Sequence, residues 1–180
     1  MDYHKYWLYD EDGGREKNPH ADHVTKHFLN LKNPAEKSHQ KSIDFFSERL
    51  IGFLAEQNLL PDGLRCLVAT VPSHREGAWS DGLGSLVKQV CAKSRLFVPR
   101  PKLLLRRQTI DKLASGGNRQ PQVHLDSIVV NPVYVDEVRK KHVLLLDDIT
   151  TTGHSLEACA QVLYQSGAGQ VTCVALGKTV

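Results

Sequence analysis

Two adjacent carboxylates, Asp147 and Asp148, follow the apolar run Val143-Leu144-Leu145-Leu146 and precede Ile149-Thr150-Thr151-Thr152-Gly153-His154-Ser155. An apolar run of this length bounded by polar turn chemistry predicts a strand buried on both faces. From Ser155 onward, Leu156, Cys159, Val162 and Leu163 recur at helical spacing, and Gly167 stands where a helix would stop. A strand–turn–helix unit aims free backbone N–H groups and the positive end of a helix at one point. The Thr and Ser hydroxyls add donors for a phosphate, and the aspartates suit sugar hydroxyls or a hydrated magnesium ion. A phosphorylated sugar fits that combination.

The rest of the chain must position this turn. Its 180 residues are enough for one domain with a real core. With 41% hydrophobic and 24% charged residues the composition is that of a soluble globular protein. No apolar stretch approaches the ~18 residues of a membrane span, and Met1-Asp2-Tyr3-His4-Lys5 lacks a signal-peptide core. Cys66, Cys91, Cys159 and Cys173 are scattered singly, which predicts buried reduced thiols and a cytoplasmic location. The net charge of +3 does not by itself argue for nucleic acid. Arg95, Arg100, Lys102, Arg106, Arg107, Lys112 and Arg119 nevertheless crowd into one stretch, a solvated face or a surface for a multiply charged anion or nucleic-acid backbone.

Tyr3, Tyr6, Trp7, Leu8 and Tyr9 suggest a short strand, followed by a polar turn region from Asp10 to Pro19. A helix capped by Ser38 and running to about Asn58 would line one face with Ile43, Phe46, Leu50, Phe53 and Leu54. The loop Pro61-Asp62-Gly63 leads to a strand from Leu64 to Val71, the turn Pro72-Ser73-His74-Arg75-Glu76-Gly77, and a helix from Asp81 to Lys93. Phe97-Val98, Leu103 to Leu105, Ser127 to Val130, Val143 to Leu146 and Gln170 to Leu176 read as further strands. Arg106 to His124 reads as a long exposed loop, of a length that is usually functional. Alternating strands and helices predict an α/β fold with a doubly wound, mostly parallel sheet. Ligands of such sheets collect at the carboxyl ends of the strands, where the 72–77 and 147–155 turns both lie.

The segment 143–155 resembles the phosphoribosyl-pyrophosphate (PRPP) signature of the type I phosphoribosyltransferases: an apolar strand, two acidic residues, two variable positions, then Thr-Thr-Gly-x-Thr or Ser. The resemblance covers residues 64–177 and implies that family's fold, with residues 1–60 as an N-terminal extension or hood and 61–180 as the core. It implies that Asp147 and Asp148 contact the ribose hydroxyls directly or through Mg2+ and its waters. Thr150, Thr151, Thr152, Gly153, His154 and Ser155 would cradle the 5′-phosphate, with His154 at the variable position. Ser73, His74 and Arg75 fall where the family holds pyrophosphate. The 106–124 stretch matches in position the loop that closes over PRPP, and Lys102, Arg106, Arg107, Lys112 and Arg119 are the candidates to neutralise the departing pyrophosphate, Arg106 and Arg107 being best placed at the start of the loop.

The 6-oxopurine salvage enzymes carry an aspartate at the position of Thr151, which is absent here. The Thr-Thr-Gly form is more similar to the orotate enzymes and the competence-protein-F group, and the order of segments resembles the latter most. Its four-cysteine zinc element is missing, and Gly77-Ala78-Trp79-Ser80-Asp81 does not match its Arg-Gly-Phe-Asn-Gln segment. Tyr6, Trp7 and Tyr9 could stack on a base or pack as core. The implied activity is Mg2+-dependent phosphoribosyl transfer from PRPP to a nucleobase or similar nitrogen nucleophile. The alternative is a non-catalytic PRPP- or nucleotide-binding regulator or an accessory protein in DNA uptake or processing. A homo-oligomer is left open.

Overall fold

The computed structural model describes residues 1–9, 14–59, 63, 65–110 and 121–180. Five strands form one all-parallel sheet: β1 (Asp2–Tyr3), β4 (Cys66–Thr70), β5 (Phe97–Pro99), β8 (His142–Thr150) and β9 (Gln170–Thr179), in the order β1-β9-β8-β4-β5. Two antiparallel ribbons stand apart from it. One pairs β2 (Trp7–Tyr9) with β3 (Arg15–Lys17), and the other pairs β6 (Leu104–Arg106) with β7 (Ile128–Val130). The helices are α1 (His23–Lys32), α2 (His39–Glu56), α3 (Asp81–Ala92), α4 (Pro121–Ser127), α5 (Val135–Val138) and α6 (His154–Gln165). The α/β class and the mostly parallel sheet are those the alternating pattern predicts.

The central strands β4 and β8 pair from Cys66↔His142 to Thr70↔Leu146. Their continuous apolar character follows from cover on both faces. Alternation along the pleat sends Cys66, Val68, Leu144 and Leu146 to a core shared with Phe28, Leu31, Phe46, Leu50, Leu83 and Leu86. It sends Leu67, Ala69, Val143 and Leu145 to a second core with Leu103, Leu104, Ile128, Leu156, Cys159 and Leu163. Helices α1, α2 and α3 thus cover one face, and α6 with the β6–β7 ribbon covers the other. The sheet is doubly wound.

Several expectations need correction. The strand expected at Val143 to Leu146 continues to Thr150, because β9 pairs with it as far as Thr150↔Lys178. Helix α1 was not foreseen. It is capped by Asp22, whose side chain accepts from Thr25 N at 2.9 Å. Of the loop expected from Arg106 to His124, residues 111–120 lie outside the described residues, while residues 121–127 are helical and His124 is buried. Ser38 stands before α2 but makes no side-chain cap bond. Phe53 is 43% exposed, off the buried stripe formed by Ile43, Phe46, Leu50 and Leu54. Cys66, Cys91 and Cys159 are buried free thiols, whereas Cys173 is exposed. The Pro61-Asp62 part of the expected loop lies outside the described residues, as do the side chains of Trp7 and Tyr9. Among the described residues no helix is long and apolar enough to cross a membrane.

Candidate functional site

A cleft of about 560 Å³ opens at the carboxyl ends of β4 and β8. Ser73, His74, Arg106, Asp147, Asp148 and Ser155 line it, drawn from the loop after β4, from β6, from β8 and from the start of α6. Arg75, Arg107, Thr150, Thr151, Thr152, Gly153 and His154 are not among the lining residues. Lys112 and Arg119 lie outside the described residues.

The loop after β4 is tied down by its backbone. Val71 N donates to Leu146 O at 2.9 Å, which carries the β4–β8 pairing into the cleft. Ala78 N donates to Arg75 O at 3.2 Å, closing a turn in which Gly77 has φ 62°. Such a positive φ suits glycine. Gly77 N donates to Arg106 O at 3.1 Å, and Ile110 N to His74 O at 2.9 Å. The loop after β4 and the residues after β6 therefore form one hydrogen-bonded wall.

Arg106 closes that wall from inside. It is 3% exposed, donates from Nε to Ser73 O at 3.0 Å and from Nη1 to Ser127 Oγ at 2.6 Å. No carboxylate lies within ion-pair distance of it among the described residues, and burial pulls its guanidinium below the ordinary range. Arg100, from the same basic run, is instead spent on a forked pair with Glu137 at 2.7 and 2.8 Å. Lys102 lies over the Trp79 ring, 4.1 Å from its centre.

The two aspartates diverge. Asp147 Oδ1 accepts from Asp148 N at 2.9 Å, and Asp148 Oδ1 accepts from Ile149 N at 2.6 Å. Asp148 Oδ2 meets Lys32 Nζ of α1 at 2.9 Å. Asp147 sits toward α6, where its charge helps burial push the Cys159 thiol up. Burial, with the Asp148 charge added, pushes the Asp147 carboxyl up to about 7. Beyond them Gly153 takes φ 84° and starts α6 with no side chain capping it. A positive φ at that turn requires glycine or a strained residue.

Three lining residues escaped sequence reading. Lys32 arrives on the unforeseen α1. Trp79 stands in the 77–81 segment that departs from the competence-F pattern, and among the described residues it is the aromatic side chain of the cleft besides histidine. His124 lies at the end of a polar run that reads as exposed, yet it is 1% exposed. The neighbouring charge of Arg106 and that of His154 add to burial in pulling its imidazole below the ordinary range. Only the polar, non-periodic sequence around it was available as a signal, and that pointed outward.

The residues can be tested against a magnesium ion. Among the described residues no group of three or more His, Cys, Asp or Glu side chains could hold a metal by itself. Two adjacent carboxylates lining a cleft of this volume do fit a hydrated ion shared with a phosphorylated substrate, the usual manner in which Mg2+ is held. Asp148 would have to exchange Lys32 for it.

No protein-family model matches the chain, and no curated protein matches it. Solved structures do. The hypoxanthine phosphoribosyl transferase of Trypanosoma cruzi is similar at 11% identity and a TM-score of 0.44, over 84% of this chain and 64% of that chain. That of Staphylococcus aureus is similar at 12% identity and a TM-score of 0.41, over 74% of this chain and 61% of that chain. The glutamine PRPP amidotransferase of B. subtilis is similar at 12% identity and a TM-score of 0.48, over 94% of this chain and 35% of that chain. The chain spans less than two thirds of the length of each of these three structures.

Proposed function

We propose that the cleft binds PRPP and that the protein transfers its phosphoribosyl group to a nitrogen nucleophile, releasing pyrophosphate. The observation that carries this reading is the convergence of Ser73, His74, Arg106, Asp147, Asp148 and Ser155 on one 560 Å³ cleft. That volume is in the range of small-molecule sites, and the lining pairs a buried cation with two carboxylates and with Ser155, which closes the Thr-rich turn. In this reading Thr150 to Ser155 hold the 5′-phosphate, Asp147 and Asp148 the ribose hydroxyls, and Ser73, His74, Arg75 and Arg106 the pyrophosphate. Arg107 stays near the loop that would close over the substrate.

Mg2+, held between Asp147, Asp148 and the substrate through water, would supply charge neutralisation at the pyrophosphate. The chain's own contribution is positioning and a fixed electrostatic environment: Arg106 is locked by Ser73 and Ser127 before any ligand arrives. Residues 1–60 supply β1 and part of the core as well as the hood's place at the cleft, where Lys32 and Pro34 are their part of the wall. Trp79 offers the stacking surface for a planar acceptor. Thr151 speaks against a 6-oxopurine acceptor, and the order of segments, not Thr151, favours the competence-F-like subgroup over the orotate enzymes. Free cysteines suit a reducing, cytoplasmic setting. The test is pyrophosphate release from PRPP and Mg2+ across a panel of nucleobases and amines. Release with at least one acceptor is expected, and its loss in Arg106→Met.

One observation favours a second reading, a non-catalytic PRPP-binding regulator. Lys32 already neutralises Asp148, so the cleft can hold a phosphorylated ribose with less help from a metal. Binding without release for any acceptor would select it.

A further inference from the structure

The cleft contains a buried side chain that the reading above leaves without a task. His124 is 1% exposed, lines the cleft, and neither ring nitrogen has a hydrogen-bond partner among the described residues. An imidazole carries a donor and an acceptor, and leaving them unmet in the interior is costly. The fold holds it there nonetheless. Ser127 Oγ shares its one hydrogen between Val123 O at 2.7 Å and His124 O at 3.1 Å while accepting from Arg106 Nη1. One hydroxyl thus fixes both α4, which carries His124, and the guanidinium of Arg106.

The fixed charge beside the ring is that of Arg106 on β6, with which it shares Ser127, while Asp147 and Asp148 line the same cleft. A group that satisfies the ring in this field is an oxyanion: it accepts from the imidazole N–H and is attracted by Arg106. A purely apolar ligand would leave the ring unmet, and a cationic donor could meet only its acceptor nitrogen while being repelled by Arg106. We propose that His124 and Arg106 form a built subsite for the pyrophosphate end of the substrate, with His124 donating a hydrogen bond to a phosphate oxygen. This rests on the cleft being a PRPP site, and it makes His124 a binding residue.

Calorimetric titration with inorganic pyrophosphate and, separately, ribose 5-phosphate, each with Mg2+, tests it in the wild type, His124→Phe and His124→Gln. Phe fills the ring's volume without polar atoms, and Gln restores a donor should Phe fail to fold. A hydrogen bond to a charged group implies about a tenfold weaker pyrophosphate Kd in His124→Phe, with partial recovery in His124→Gln. The Kd for ribose 5-phosphate should stay within about twofold, and the ligand-free melting temperature should hold or rise, since an unmet buried polar group has been removed. Wild-type pyrophosphate affinity in both variants would overturn the proposal, as would equal loss of both ligands. A wild type that binds ribose 5-phosphate but not pyrophosphate also overturns it while sparing the phosphoribose site. A wild type that binds neither these nor PRPP removes the PRPP reading, and the subsite with it.

Discussion

Lys32 Nζ lies 2.9 Å from Asp148 Oδ2, so the cleft brings its own cation to the second carboxylate of the motif. The lysine comes from the last turn of α1, far from the motif in sequence. Two glycines set that helix down. A side chain at Gly82, in the first turn of α3, would collide with the Leu31 carbonyl oxygen, and one at Gly177 on β9 would come within 2.5 Å of Phe28 Cζ. Close approach at these two points leaves Lys32 at the cleft mouth.

The pair is half open to solvent on the lysine side, at 48% against 20% for Asp148. It should therefore contribute less than about 1 kcal/mol to stability. Lys32→Met is expected to leave the melting temperature nearly unchanged. It should lower the Mg2+ concentration that half-saturates PRPP binding by about threefold, because the ion no longer competes for Asp148. Titration at stepped Mg2+ concentrations measures this, and a higher Mg2+ requirement would place Lys32 on the substrate instead.

Gly82→Ala and Gly177→Ala should each destabilise the fold by about 1–3 kcal/mol, as overpacking does. Gly52 of α2 is the control, since nothing lies within 4 Å of the position its Cβ would take. There alanine should stabilise by up to about 1 kcal/mol, through helix propensity and a less flexible unfolded chain. Urea denaturation of the three variants measures the difference, and equal midpoints would contradict the close packing of α1.

Asp147 makes stability depend on pH. Its carboxyl stands at about 7 in the fold against an ordinary 3.8, so the folded chain binds this proton more tightly than the unfolded chain. The ionised form is a cost that is fully present above about 7 and fades as pH falls toward 3.8. Asp147→Asn should therefore raise the ligand-free melting temperature at pH 8 and change it little at pH 4. A variant less stable than wild type at pH 8 would contradict the assignment.

The motif was readable because everything it needs is local. A doubly covered parallel strand writes itself as Val143 to Leu146, and the turn and helix follow within a few residues. Helix α1 was not readable, because its burial rests on Thr25, Phe28 and Leu31 alone. The features that receive it, Gly82 and Gly177, are non-local. His124 was missed for the same physical reason. Its neighbours in sequence are polar, and its burial comes from packing of α4 on α6 and from the Ser127–Arg106 link. Arg106 could be singled out from its neighbours only as a position at the head of a loop. What separates it from Arg107 is its place as the last residue of β6, on the same inward face as Leu104, whereas Arg107 lies just past the strand and is exposed.

PRPP binding itself is the central claim, and calorimetric titration of PRPP with Mg2+ tests it most directly. The wild type should bind one PRPP per chain, and Asp147→Asn and Asp148→Asn should each weaken binding by about tenfold or more. Because Asp147→Asn is expected to be at least as stable at neutral to alkaline pH, its loss of affinity would report lost ligand contacts and not unfolding. No heat of binding in the wild type, or unchanged affinity in both aspartate variants, would contradict the assignment of this cleft.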